Sequence, residues 1–259
     1  MQNIDPLFIL QPVVVIIVAS ALMVYWYFKR RFHKEVWLYT LIAYGAAIAL
    51  KYAVQIPTIT IVTNTFGVYS VGLGFCYGLQ AVVFEVGLAF VVAWWAVSHG
   101  KLTKKDAEAY GAGLAFWENS AFLSALSLIN LVAYYSILSS NSSLAQTLYN
   151  QLNANASGLF APASEALRSV ALGTLERVSS IMIHFAWGYL CIMAAVCNKK
   201  WLLLIALPMG FIDFLVPFAQ NSIFLFEAVF FGLSVLSLLV AWYATKQVRI
   251  HAGNQIIKP

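Results

Sequence analysis

Apolar residues in this chain do not alternate and do not form narrow helical stripes. They run in blocks of about 20 or more, the length an α-helix needs to cross a bilayer. Seven blocks are visible: Leu7–Phe28, Val36–Val54, Gly72–Ser98, Ala107–Leu138, Leu167–Cys197, Trp201–Pro217 and Ile223–Thr245. The pattern predicts an all-α polytopic membrane protein, with residues 1–259 as a single transmembrane helical domain. The longer blocks are expected to tilt or to begin outside the hydrocarbon.

Basic residues order these blocks. Lys29, Arg30, Arg31 and Lys34 follow the first, Lys101, Lys104 and Lys105 the third, Lys199 and Lys200 the fifth, and Lys246, Arg249 and Lys258 the seventh. The intervening segments Gln55–Phe66, Ser139–Leu159 and Phe218–Ser222 contain no lysine or arginine. Lysine and arginine mark the cytoplasmic side, so the N-terminus is expected outside and the C-terminus inside the cell membrane. The outer segment around residues 139–164 is the one extended polar stretch. It carries two glycosylation-type tripeptides, Asn141-Ser142-Ser143 and Asn155-Ala156-Ser157, which also fit an ordinary polar loop.

Composition agrees: 62% of residues are hydrophobic and 10% charged, against roughly 25% charged in a soluble domain. The net charge of +5 comes from the basic loops, and nucleic acid is not an expected partner. The lipid bilayer is, with a membrane protein or a peptide as the further candidate. Three cysteines, Cys76, Cys191 and Cys197, form no disulfide framework or zinc-finger spacing. The last block holds no lysine for a retinal Schiff base, Cys-x-x-Cys-His is absent, and no phosphate-binding glycine fingerprint is present. His184 is the only deep histidine, which leaves no pair for a bis-histidine haem. Buried acids would also suit a proton-coupled transporter, but no repeated halves are visible.

Ionisable residues inside apolar blocks are costly and by default face the protein interior, where they function. Four lie deep: Glu85, Glu118, His184 and Asp213. At 1.5 Å rise per residue they sit about 20, 17, 21 and 18 Å from the basic face, so four helices deliver them to one layer. Lys51, Glu176, Arg177 and Glu227 are placed nearer the outer ends, with Glu176–Arg177 read as an interface pair. An imidazole and carboxylates in one layer fit a metal centre, a hydrogen-bonded network or a proton relay. Glu118 beside Asn119, and His184, would also serve as ordinary bonds between helices. Asp213, after the Pro208-Met209-Gly210 break, would serve to cap freed backbone groups.

The order of these motifs over about residues 81–218 resembles the YhfC family of intramembrane metalloproteases, related to the CAAX-prenyl protease and bacteriocin-processing superfamily. Phe84-Glu85-Val86-Gly87-Leu88 stands where that pattern has two acids and a base. Leu114 and Glu118, after Gly111 and Gly113, stand for His-x-x-x-Glu. Glu176-Arg177 with His184 after it matches in full, and Met209 with Asp213 stands for His-x-x-x-Asp. Phe84, Leu88, Leu114 and Met209 depart from the pattern, so the chain is a divergent member. The resemblance implies a membrane-embedded peptidase with Glu85 as general base. Glu118, His184 and Asp213 would be metal ligands or transition-state stabilisers, and zinc the metal. The replaced positions keep a second expectation open: a non-catalytic relative acting as a subunit of a larger membrane complex.

Overall fold

The computed structural model describes residues 3–140, 142–219 and 222–255, with side chains to residue 248. Asn141 of the first acceptor tripeptide and Lys258 lie outside the described residues, as do the side chains of Arg249 and His251. Among the described residues, seven helices are long and apolar enough to cross a membrane: α1 (Pro6–Arg30), α2 (Val36–Phe66), α3 (Val71–Ser98), α4 (Lys104–Leu138), α6 (Ala163–Cys197), α7 (Lys200–Phe218) and α8 (Ile223–Val248). A further helix, α5 (Ser143–Asn155), lies between α4 and α6. No strand occurs among the described residues. The chain is a multi-pass, all-α integral membrane protein.

Two expected loops are helical. Residues Gln55–Phe66 continue α2 through Pro57. The hydroxyls of Thr58, Thr63 and Thr65 donate to the carbonyls of Val54, Ile59 and Ile61 at 2.6, 2.8 and 2.8 Å, so the polar side chains are satisfied by their own helix and do not break it. At 31 residues, α2 is about 46 Å long and outruns a hydrocarbon core of about 30 Å. The polar stretch after α4 likewise forms α5. The Ser142 hydroxyl caps it by accepting from the Ala145 amide at 3.2 Å. Its apolar face, with Leu148, Tyr149 and Leu152, packs on Ile4, Leu131, Leu138 and Phe160.

Helix α6 is the axle of the bundle. Residues such as Ile183, Trp187, Leu190, Cys191 and Met193 are buried there, while the other spans expose broad apolar faces. Glycines allow the closest crossings, as expected where packing must replace the hydrophobic drive. A Cβ on Gly111 of α4 would come 2.5 Å from the Phe185 carbonyl oxygen of α6, and one on Gly188 would lie 3.0 Å from the Gly111 Cα. This crossing brings the half of α4 that precedes Glu118 against the turn of α6 that carries His184.

Candidate metal centre

The backbone leaves α-helical geometry where two of the acids lie. In α3 the segment Ala81–Val86 is π-helical and contains Glu85. In α4 the segment Trp117–Ser124 is π-helical and contains Glu118. Asp213 sits in the 3₁₀ segment Phe211–Phe218 that ends α7. A π turn inserts one residue into the helix and re-aims the side chains beside it; such turns recur at functional sites. His184 lies on regular α-helix in α6.

These segments bring Glu85, Glu118 and His184 together. One ligand atom from each lies within 4.8 Å of the others. His184 Nδ1 is 2.9 Å from the Ser180 carbonyl oxygen. A carbonyl only accepts, so Nδ1 carries a proton and Nε2 keeps its lone pair while the ring is neutral. Nε2 faces Glu118 Oε2, with which it makes a close contact, and lies 3.5 Å from Glu85 Oε2. Both Nε2 and Glu118 Oε2 are buried and lack an ordinary hydrogen bond among the described residues. Two electron-pair donors face each other, and neither atom is accessible at its own surface. A cation between them, either a proton on Nε2 or a metal ion, removes the repulsion.

Asp213 joins this set through Lys51. The Lys51 ammonium donates to Glu85 Oε1 at 2.5 Å and to Asp213 Oδ2 at 3.1 Å. Glu85 therefore has one oxygen toward lysine and the other toward histidine. The Asp213 side chain is 33% exposed, against 6% for Glu85. It borders a cavity of about 150 Å³ lined also by Glu85, Glu118, Arg177, His184 and Trp187. That volume admits several waters. Glu176 and Arg177, expected at the interface, pair with each other and line the same cavity. Met209 lines it too, whereas Leu114 is buried against Gly188. The Glu227 side chain is buried in α8, with Oε2 unpartnered among the described residues.

Lys51 is the site residue that sequence reasoning missed. Its signal is its isolation: a lone base inside the second apolar block, with no acidic neighbour on its own helix. Counted at 1.5 Å per residue from Val36, Lys51 lies about 22 Å from the basic face, in the same layer as Glu85.

The sequence model of the YhfC intramembrane metalloprotease family matches residues 13–233. This chain belongs to the YhfC intramembrane metalloprotease family. The match runs well beyond residues 81–218 and takes in five whole spans, α2, α3, α4, α6 and α7, with most of α1 and part of α8. No curated protein and no solved structure matches the chain. Membership agrees with a membrane protease-related role and with a metal at the buried Glu-Glu-His group. The donor set fits such an ion: an imidazole nitrogen with its lone pair fixed outward and two carboxylates, a set suited to divalent metals.

Proposed function

We propose that this member of the YhfC family hydrolyses a peptide bond at the membrane-embedded cavity beside Glu85, Glu118 and His184. The carrying observation is the buried, mutually facing pair of donors, His184 Nε2 and Glu118 Oε2, with Glu85 Oε2 beside them. These three atoms would hold the metal, with zinc as the ion this ligand set suits. Bound there, the ion supplies Lewis acidity for attack on a carbonyl.

The remaining groups divide the work. Ser180, through its carbonyl, fixes the imidazole tautomer, the orienting task that a second layer of contacts performs around metal ligands. Lys51 positions both Glu85 and Asp213. Asp213 is the more open carboxylate and borders the cavity, so it takes a proton from water and returns it to the leaving amine. This exchanges the roles expected for Glu85 and Asp213. The reason is that both Glu85 oxygens are already engaged. The apolar lining from Val216, Phe226 and Phe230 suits a peptide segment that is itself apolar and reaches the cavity from the membrane.

The test measures metal by mass spectrometry in purified wild type, His184→Ala, Glu118→Gln and Asp213→Asn. Cleavage of a reporter transmembrane peptide is measured in parallel. About one zinc per chain is expected in wild type and Asp213→Asn and is lost from the other two. Cleavage falls by about 10²–10⁴ in Asp213→Asn, the usual range for a missing general base. A folded wild type without metal overturns the reading in favour of the non-catalytic relative.

A further inference from the structure

On the basic face, away from the metal centre, α1 and α8 stand apart over α6 and leave a cavity of about 500 Å³. Its floor is Phe185 and Tyr189 of α6, with rings stacked at 6.2 Å, and Trp26 of α1 stacks on Phe185 at 6.3 Å. Two cations close its basic end. Arg30 Cζ lies 5.8 Å from the Trp26 ring centre, and Lys246 Nζ lies 5.2 Å from that of Trp242. Arg30 also pairs with Glu108 of α4 at 2.9 Å. The lining therefore carries two positive charges and one negative charge, and Lys29 Nζ adds a further positive charge 5.1 Å from the Trp26 ring centre, so the site is net positive. The Trp26 indole N–H is buried and has no acceptor among the described residues.

We propose that this cavity binds the phosphodiester headgroup of an anionic phospholipid from the leaflet on the basic face. The negative charge of a phosphodiester answers the net positive charge of the site. Its oxygens give Lys246 and Arg30 an acceptor that each can take. The apolar walls decide between a lipid and a free anion. Leu238 lines the cavity, and Trp242 is 62% exposed. Ala241 lines it too, so acyl chains find an apolar surface where a free phosphate would find none. Juxtamembrane lysine and arginine attract anionic lipids in this way. Glu108 serves the site by holding the Arg30 fork in place.

The test is native mass spectrometry of the full chain in non-ionic detergent, titrated with phosphatidylglycerol or phosphatidylcholine. Wild type is expected to bind phosphatidylglycerol in preference. Lys246→Gln is expected to weaken that binding about fivefold, the usual worth of one basic residue at an anionic surface, and to leave phosphatidylcholine unchanged. Millimolar inorganic phosphate does not displace phosphatidylglycerol. Equal binding of the two lipids, or unchanged binding in Lys246→Gln, overturns the proposal. Displacement by inorganic phosphate overturns the lipid as occupant. Lys246 is exposed, so its replacement does not endanger the fold.

Discussion

Lys51→Met removes an ammonium from between two carboxylates and keeps the length of the side chain. Its Nζ sits 2.5 Å from Glu85 and 3.1 Å from Asp213, and the Glu85 side chain is 6% exposed. At an effective dielectric of ~20, each contact carries a Coulomb attraction of about 5–7 kcal/mol. Most of that only offsets the cost of taking the ions out of water. Removing one partner leaves that cost uncompensated and typically destabilises by about 3–5 kcal/mol. At about 2–4 °C per kcal/mol for a chain near this size, the midpoint should fall by roughly 6 °C or more. With the half-buried Cys76 and Cys197 replaced by serine, a thiol-reactive fluorophore reads this in detergent, because Cys191 is fully buried against the Val86 carbonyl and reacts only on unfolding. Asp213→Asn keeps the Lys51–Glu85 contact, so its loss should be the smaller. The double variant Lys51→Met/Asp213→Asn should recover part of the loss, since one fewer buried charge is stranded. A Lys51→Met midpoint within a degree of wild type would refute the claim that this ammonium holds the carboxylates.

The glycine crossing gives a second prediction. Gly111→Ala puts a Cβ 2.5 Å from a backbone oxygen that no rotamer change can move, so stability should fall by about 1–3 kcal/mol in the same thermal assay. By contrast, Ser180→Ala should leave metal content within about threefold of wild type. The bond that fixes His184 Nδ1 comes from the Ser180 backbone at 2.9 Å, not from the hydroxyl at 3.3 Å, so the usual 10–100-fold loss for an orienting side chain does not apply. Trp187→Leu should loosen His184, whose ring lies 5.0 Å from the indole; metal content on dilution should then fall faster than in wild type, with overall helicity by circular dichroism unchanged.

The seven spans are legible in the sequence because hydrocarbon imposes a length and an apolar composition that few other environments demand. The two expected loops that prove helical show where that signal stops. Threonine and glutamine in α2 lower its hydropathy, yet the threonine hydroxyls bond back to their own helix. Polarity there reports where the bilayer ends, not where the helix ends. The amphipathic α5 is hidden for the opposite reason: its few apolar residues only gain meaning beside Ile4 and Leu131.

The candidate site is legible in its residue types but not in its connections. Counting 1.5 Å per residue places Glu85, Glu118, His184 and Asp213 at a common depth, because depth depends on chain length alone. Azimuth does not. The π turns at Ala81–Val86 and Trp117–Ser124 each rotate the helix beyond them by about one residue, near 100° at 3.6 residues per turn, and no apolar pattern records such a shift. With an uninterrupted α-helix, the same acids at the same depth would point elsewhere. The non-α turns are therefore what turns a layer of costly charges into a cluster. That cluster also explains the placement of Lys51 on α2: three acids around one imidazole leave an excess of negative charge in a medium that tolerates little, and the ammonium bound to Glu85 and Asp213 offsets it while the Glu118–His184 face stays free for a metal ion.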